Sequence, residues 1–380
     1  MVVTKVSSYS DFVDLKEDWN GLLETSEERE NVFLRHEWFD VWWQAFGKAK
    51  DMLILLCHDE KDAIIGIAPL MIFRDSYKGL NYNRLGFIED PNAPSMNFIA
   101  KQGNEETIIF AMLDHLFSRE KRDWHVAVLN KIASSSITIS ICQSFFSRNR
   151  TNFLLRNGQN SPYIPTHSNW ETFFGSRSVR FRKQFRNKVN KLNNAGEVSF
   201  QVWDNIGKEA KHLRDAMSVS SRSWKHEEGT SMSSTPERRK FFELLSDVAS
   251  RNGWLRIWLL SLNGDPIATE YHLEYKGRTH AMRGDFDQSQ DAFSPGSVLE
   301  GHIIEQCFKN GLLEYDFCGL PFGYKLRWTE LLHKRENILF YNDQPYSLGL
   351  YVLQKYFPII KRNLLKTVKI VFRKSQDSLR

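Results

Sequence analysis

The sequence predicts an α/β protein, and three observations carry that expectation. Strand-like and helical periodicities alternate along both halves of the chain, three short strands follow one another closely in the second half, and 380 residues exceed what one core fills. A single hydrophobic core stops growing at roughly 250 to 300 residues, so two domains are expected. Hydrophobic residues make up 41% of the chain and the formal charge is only +5, an ordered globular composition that excludes disordered and fibrous classes.

In the first half, Val2 to Val6 reads as a strand. Helical periodicity follows in Phe12, Leu15, Trp19, Leu22 and Leu23, and again from Phe33 to Phe46. Strands are expected at Met52 to Cys57, Ala63 to Phe73, Asn97 to Ala100, Trp124 to Leu129 and Phe153 to Arg156, with helices near Glu105 to Phe117 and Ile137 to Phe146. Asn157 to Asn169 is polar and contains Pro162 and Pro165, which marks a domain boundary near residue 165.

In the second half, Ser178 caps a helix whose apolar seam is Phe181, Phe185, Val189 and Leu192. Strand Val198 to Trp203 precedes two helical patterns, Ile206 to Trp224 and Pro236 to Asn252. Three strands joined by tight turns come next: Leu255 to Leu262, Ile267 to Tyr275 and Thr279 to Phe286. Ser294-Pro295-Gly296 opens a helix that Asn310-Gly311 stops, and strands at Leu313 to Phe317 and Ile338 to Tyr341 finish the pattern. The expected division is 1–165, 166–345 and a tail over 346–380.

No apolar stretch reaches the roughly 20 residues of a membrane span, and the start lacks the regions of a signal peptide, so a reducing cytoplasm is expected. Cys57, Cys142, Cys307 and Cys318 are scattered, which argues for buried thiols and against a disulfide framework or a structural metal site; Cys318 is the one of the four to follow. The 11 histidines show no metal-ligand spacing, so no metal is expected. The tryptophans, among them Trp19, Trp38, Trp42, Trp43, Trp170, Trp224 and Trp254, read mainly as core, with sugar stacking as the alternative.

Charge is unevenly distributed. Arg177 to Lys191 holds seven basic residues and no acid, and Lys355 to Arg380 nets +7, so the remainder of the chain carries −9. Two such patches draw anionic partners. In the first, Arg180 and Arg186 are candidates for binding a polyanionic donor or acceptor. In the tail, Phe357, Ile360, Leu364, Val368 and Val371 fall opposite Lys355, Arg362, Lys366, Lys369 and Arg373, the pattern of an amphipathic helix at an anionic membrane.

Trp38, Trp42 and Phe46, Gly66-Ile67-Ala68-Pro69-Leu70, the basic helix Phe181 to Leu192, Ser294-Pro295-Gly296, Tyr315-Asp316-Phe317, and Tyr324-Lys325 followed by Trp328 together resemble the cellulose-biosynthesis acetyltransferases (CelD/BcsL type) of the GNAT superfamily, relatives of the FemAB-like transferases. The resemblance implies tandem GNAT-like domains with mixed, mostly antiparallel sheets flanked by helices, and acyl transfer from acyl-CoA to a sugar or amino sugar of an exopolysaccharide or envelope glycan. It places the pyrophosphate of coenzyme A at Ser294, Pro295, Gly296 and Ser297, where a capped helix start with Pro at its first position offers amides to an anion. The family's usual Q/R-x-x-G-x-G/A run is absent there. The stretch Cys318 to Gly323 also lacks the arginine and acid the family commonly carries.

Acyl transfer needs a base, an oxyanion site and an acid for the leaving thiolate. Asp316, ending an apolar strand, and Glu270, interrupting another, are candidate bases. Tyr324 is the candidate acid, Lys325 an anion-binding group, and Arg283 and Asp285 candidate substrate contacts. Two alternatives stay open: FemAB-like transfer from aminoacyl-tRNA to a cell-wall precursor, and a catalytically silent scaffold held at the inner membrane by its tail.

Overall fold

The computed structural model of the chain describes residues 1–89, 93–205 and 210–357. Fifteen strands occur among them: β1 (Val2–Val6), β2 (Asp51–His58), β3 (Ile64–Tyr77), β4 (Leu80–Phe87), β5 (Ile99–Ala100), β6 (Val126–Ala133), β7 (Phe153–Asn157), β8 (Ser161–Pro165), β9 (Val198–Trp203), β10 (Leu255–Leu262), β11 (Asp265–Tyr275), β12 (Arg278–Phe286), β13 (Glu314–Asp316), β14 (Leu332–His333) and β15 (Arg335–Tyr341). The helices are α1 (Tyr9–Asp14), α2 (Lys16–Glu24), α3 (His36–Phe46), α4 (Glu105–Ser118), α5 (Ile137–Arg148), α6 (Trp170–Gly175), α7 (Val179–Asn193), α8 (Lys211–Ser221), α9 (Trp224–Glu227), α10 (Pro236–Arg251), α11 (Pro295–Lys309) and α12 over 345–357.

These strands form two mixed sheets flanked by helices. The first runs β1-β2-β3-β4-β6-β15-β7, with β5 beside β3, and the second β14-β8-β13-β12-β11-β10-β9. Each is antiparallel except for one parallel pair, β4 with β6 and β12 with β13. Each sheet also takes a strand from the other half of the sequence. β15 lies between β6 and β7 in the first sheet, although the sequence assigns it to 166–345, and β8, before residue 165, lies between β13 and β14 in the second. Pro162 and Pro165 make β8 read as a loop because proline has no amide to donate. The carbonyl of Pro162 nonetheless accepts from the Phe317 amide at 3.0 Å. Gly158 marks the crossing between sheets: a side chain there would meet the Arg335 backbone at 2.9 Å.

One continuous apolar core joins the halves. The aromatic stripe of α3 packs on α10, with the Trp38 and Phe241 rings 5.6 Å apart and edge-on. Trp19 and Trp38 are fully buried, as helical spacing predicts. A second core under the second sheet takes up the seam of α7, where Phe181 and Phe185 meet the Trp328 ring at 4.8 and 5.4 Å. All four cysteines are buried free thiols.

The expected strand at Ala63 to Phe73 extends to Tyr77 and turns directly into β4, a strand that begins Leu-Asn-Tyr-Asn-Arg and is missing from the sequence expectation although its first four residues alternate. Most of the amphipathic tail, residues 358–380, lies outside the described residues, as do 206–209 at the start of a predicted helix. Among the described residues no helix is long and apolar enough to cross a membrane.

Candidate active site

The parallel ladder between β12 and β13 is only three residues long, Arg278–His280 against Glu314–Asp316. Beyond it β12 continues alongside β11 to Phe286, while the chain after Asp316 turns away at Cys318 in the left-handed conformation, φ 46°. Strands that part this way leave a gap in the sheet. Two adjoining cavities of about 400 and about 480 Å³ fill the gap and share Trp224, Lys225, Glu270, Gly284, Glu300 and Tyr324 in their walls.

Most of the residues expected from the sequence converge here. Glu270 faces in from β11. Its Oε2 accepts from the Tyr315 hydroxyl at 3.3 Å and lies 2.7 Å from Nε2 of His272, which is two residues along the same strand and therefore on the same face. Lys325 is 8% exposed and donates to the Phe317 carbonyl at 3.0 Å; burial lowers its pKa. Tyr324 stands at the mouth, its phenol held protonated by burial and by the charges of Glu300 and Glu270. Arg283 and Asp285 bond each other at 2.7 Å, and Asp285 also receives Ser220 at 2.6 Å, so this ion pair braces the wall from within.

Two residues that sequence reasoning missed complete the site. Glu300 enters from the buried face of α11, where its neighbours Val298, Leu299 and Ile303 are apolar. Burial, then the charge of Glu270, raises its pKa to about 8, and Trp328 Nε1 donates to its Oε2 at 2.9 Å. An acid on the otherwise apolar stripe of a helix was the available signal. Lys225, on the short α9, pairs with Asp285 at 3.1 Å and also donates to the Gly284 carbonyl; burial lowers its pKa. Four residues of α9 give no periodic pattern from which to foresee that placement.

Asp316 lies elsewhere. Side chains alternate along a strand, so with Tyr315 and Phe317 on the cavity side, Asp316 faces the opposite surface of the sheet. There its Oδ1 accepts from Ser161 Oγ at 2.5 Å and from the Cys318 amide at 2.8 Å. Burial opposes ionisation, but the nearby His280 imidazole, then His333 and the Ser161 hydroxyl, outweigh it and hold the carboxyl well below the usual range. Cys318 reaches the cavity wall with its thiol pushed up by burial and by Asp316.

The start of α11 forms the other edge of the site. Pro295 occupies the first helical position, as expected, but Ser294 is left-handed (φ 52°) and its side chain makes no capping bond. The amides of Ser297 and Val298 both turn back to the Ser294 carbonyl, at 3.0 and 3.2 Å. The outward donor of this turn is therefore the Gly296 amide, and both Gly296 and Ser297 line the smaller cavity. Lys188 of α7 donates to Ser297 Oγ at 2.9 Å, bringing one cation of the basic helix to this edge. Arg180 and Arg186 are exposed on α7 and line neither cavity, Arg186 lying over the Phe174 ring. Of the tryptophans, Trp224 is 42% exposed and lines both cavities.

Residues 179–326 match the family model described as the acetyltransferase (GNAT) domain. The second half of the chain carries a GNAT-fold acetyltransferase domain. No curated protein sequence matches the chain. Among solved structures, FemX shares 9% identity with a TM-score of 0.57, covering 92% of this chain and 100% of that one. The C-terminal domain of a putative lysylphosphatidylglycerol synthetase from Agrobacterium fabrum shares 9% identity at 0.52, covering 89% and 95%. A conserved protein of unknown function from Bacteroides thetaiotaomicron shares 9% at 0.54, covering 90% and 100%. These likenesses show that the fold of those structures runs over nearly the whole chain. In this GNAT-fold domain the parted strands, the helix start and the buried carboxyl pair all surround one space.

Proposed function

We propose that the protein is an acyltransferase that moves an acyl group from an acyl-CoA thioester to an amine or hydroxyl of a sugar, with both substrates meeting between β12 and β13. The observation that carries this reading is the pair Glu270 and Glu300 in the cavity walls with Lys225 and Lys325 beside them. A carboxyl whose pKa is raised to about 8 is matched to taking a proton from an amine near neutrality. In this reading Glu300 takes the proton as the acceptor attacks the thioester carbonyl, and Glu270, held by His272 and Tyr315, orients the acceptor. Lys325 faces the oxyanion. As the C–S bond breaks, Tyr324 protonates the departing thiolate. Gly296 and Lys188 receive the pyrophosphate of the donor, and Trp224 offers its ring to a sugar face.

Destination in an exopolysaccharide or envelope glycan, and contact with the inner membrane through the tail, belong to the same proposal. The test is calorimetry with acetyl-CoA, followed by release of free thiol in the presence of a panel of amino sugars and lipid-linked sugars. Micromolar binding and acceptor-dependent thiol release support the reading. Absence of acetyl-CoA binding removes coenzyme A as donor.

A second reading is transfer from aminoacyl-tRNA to a cell-wall precursor. It is favoured by the exposed row Arg180, Lys183 and Arg186 on α7, on the same helix as Lys188. Its signature is a steep loss of tRNA binding with salt.

A further inference from the structure

On the reverse side of the point where β12 and β13 part, a second cavity of about 230 Å³ lies between the two halves of the chain. Into it project His280 of β12, Glu314 and Asp316 of β13, and His333 of β14. His280 is 7% exposed, yet neither of its ring nitrogens has a hydrogen-bond partner among the described residues. A buried imidazole normally satisfies at least one nitrogen, so an orphaned one needs an explanation. Its Nδ1 stands 3.8 Å from Asp316 Oδ2, too far for a hydrogen bond but suited to a shared third atom.

The other three ligands are aimed in the same way. Asp316 Oδ1 is taken by Ser161 and the Cys318 amide, which leaves Oδ2 facing the cavity. Glu314 Oε2 is taken by Arg278 at 2.9 Å, which leaves Oε1 facing His333 Nε2 at 2.9 Å. The His333 ring is fixed by stacking on Tyr163, centroids 3.9 Å apart. Asp316, Glu314 and His333 thus each already have an outer partner of the kind that orients metal ligands. The ligand atoms of Glu314, Asp316 and His333 all lie within 4.8 Å of one another, and those of His280, Asp316 and Cys318 form a second such group that shares Asp316. In a tetrahedral zinc site with bonds of about 2.0 to 2.2 Å, ligand atoms stand about 3.4 Å apart, so the Glu314, Asp316 and His333 atoms close by side-chain rotation, and His280 joins them from the far side of Asp316.

The geometry points to a divalent-metal site formed by His280, Glu314, Asp316 and His333, with zinc the best match to two imidazoles and two carboxylates. Glu27, Glu28 and Glu30 of the first half line the same cavity with Arg278 and Arg335; Arg278 pairs with Glu30 at 3.0 Å, so the acids still outnumber the cations by three to two around the four ligands. Phe33, also from the first half, packs edge-on against His280 at 5.2 Å. A metal here braces the junction of the halves and fixes the strands directly behind the acyl-transfer cavity, and it takes no part in the chemistry of that cavity. The histidines lie 53 residues apart on different strands, so sequence spacing gives no hint of them.

The test uses the full chain, stripped with EDTA and titrated with Zn²⁺ or Co²⁺ by calorimetry, with metal content measured by mass spectrometry. One equivalent per chain is expected, with visible Co²⁺ bands of four-coordinate geometry and a raised melting temperature. His280→Ala and His333→Gln should each weaken binding by about tenfold or more. His333 is partly exposed, so its variant decides the matter even if loss of the buried His280 ring prevents folding. Absence of stoichiometric uptake by the wild-type chain, or uptake unaltered in His333→Gln, overturns the site.

Discussion

Tyr315 and Asp316 are adjacent in β13 and serve opposite faces of one sheet: the Tyr315 hydroxyl donates to Glu270 in the cavity between the parted strands, whereas Asp316 binds Ser161 behind it. Neutralising either acid therefore has different consequences. Asp316→Asn should lower the melting temperature, because a buried hydrogen-bond network loses its charge-assisted acceptor, while kcat stays within about tenfold of wild type. Glu270→Gln should leave the melting temperature nearly unchanged and lower kcat/KM by about a hundredfold or more. Steady-state kinetics and thermal melts on the two variants check both, and a reversed pattern would move the chemistry to the other face.

Glu300 makes a prediction in pH. With its pKa raised to about 8, kcat/KM should climb with pH and level off above about 8, and Glu300→Gln should lose about 10² to 10⁴ of the rate along with the climb. Stability runs the other way. The folded pKa exceeds the unfolded value of about 4.3, so the folded state binds the extra proton between them. The resulting contribution is complete below about 4.3 and is lost as pH rises through about 8. Urea denaturation at about pH 5 and about pH 9 should show a decline in the wild type that is smaller in Glu300→Gln.

The meander β10 to β12, the α7 seam and the opening of α11 could be read from the sequence because each rests on local signals: tight turns, a 3.6-residue stripe and a proline at a helix start. Glu270, Gly296 and Ser297 sit on those elements, and with Tyr324 and Lys325 from the turn after β13 they line the two adjoining cavities. What remained hidden depends on tertiary partners. The exchange of β8 and β15 between sheets is a matter of which edge was free, which periodicity does not encode. Glu300 was masked by the apolar helix around it, and the direction of Asp316 depended on a strand register that only the sheet fixes.

Gly301 sets how closely α7 lies on α11. A methyl group there would stand 2.2 Å from Phe185 Cζ and 2.4 Å from its Cε2, with Trp328 at 3.3 Å. In a helix interior, alanine normally gains about 1 kcal/mol over glycine. Here the sign should reverse. Gly301→Ala should cost about 1 to 3 kcal/mol by overpacking, measured by chemical denaturation, and should also raise the KM for the donor as Phe185 pushes away the helix that carries Lys188. A stabilised variant would mean that Phe185 relocates without disturbing α7.

The basic helix separates the two donor readings. Lys188 bonds Ser297 at the start of α11, whereas Arg180, Lys183 and Arg186 are exposed, Arg186 over the Phe174 ring. A coenzyme A pyrophosphate seated on Gly296 needs the first and little of the others. Lys188→Ala should then raise the donor KM by about tenfold to a hundredfold, the loss of one charge-assisted hydrogen bond, with kcat nearly constant. The triple variant Arg180→Gln, Lys183→Gln, Arg186→Gln should change KM by less, and salt should weaken binding only mildly. A polynucleotide donor spans the exposed row, so the triple variant would abolish its binding, and affinity would fall steeply and linearly on a log-log plot against salt. Donor KM measured across a salt series for the wild type and both variants decides between them, since no single donor satisfies both patterns.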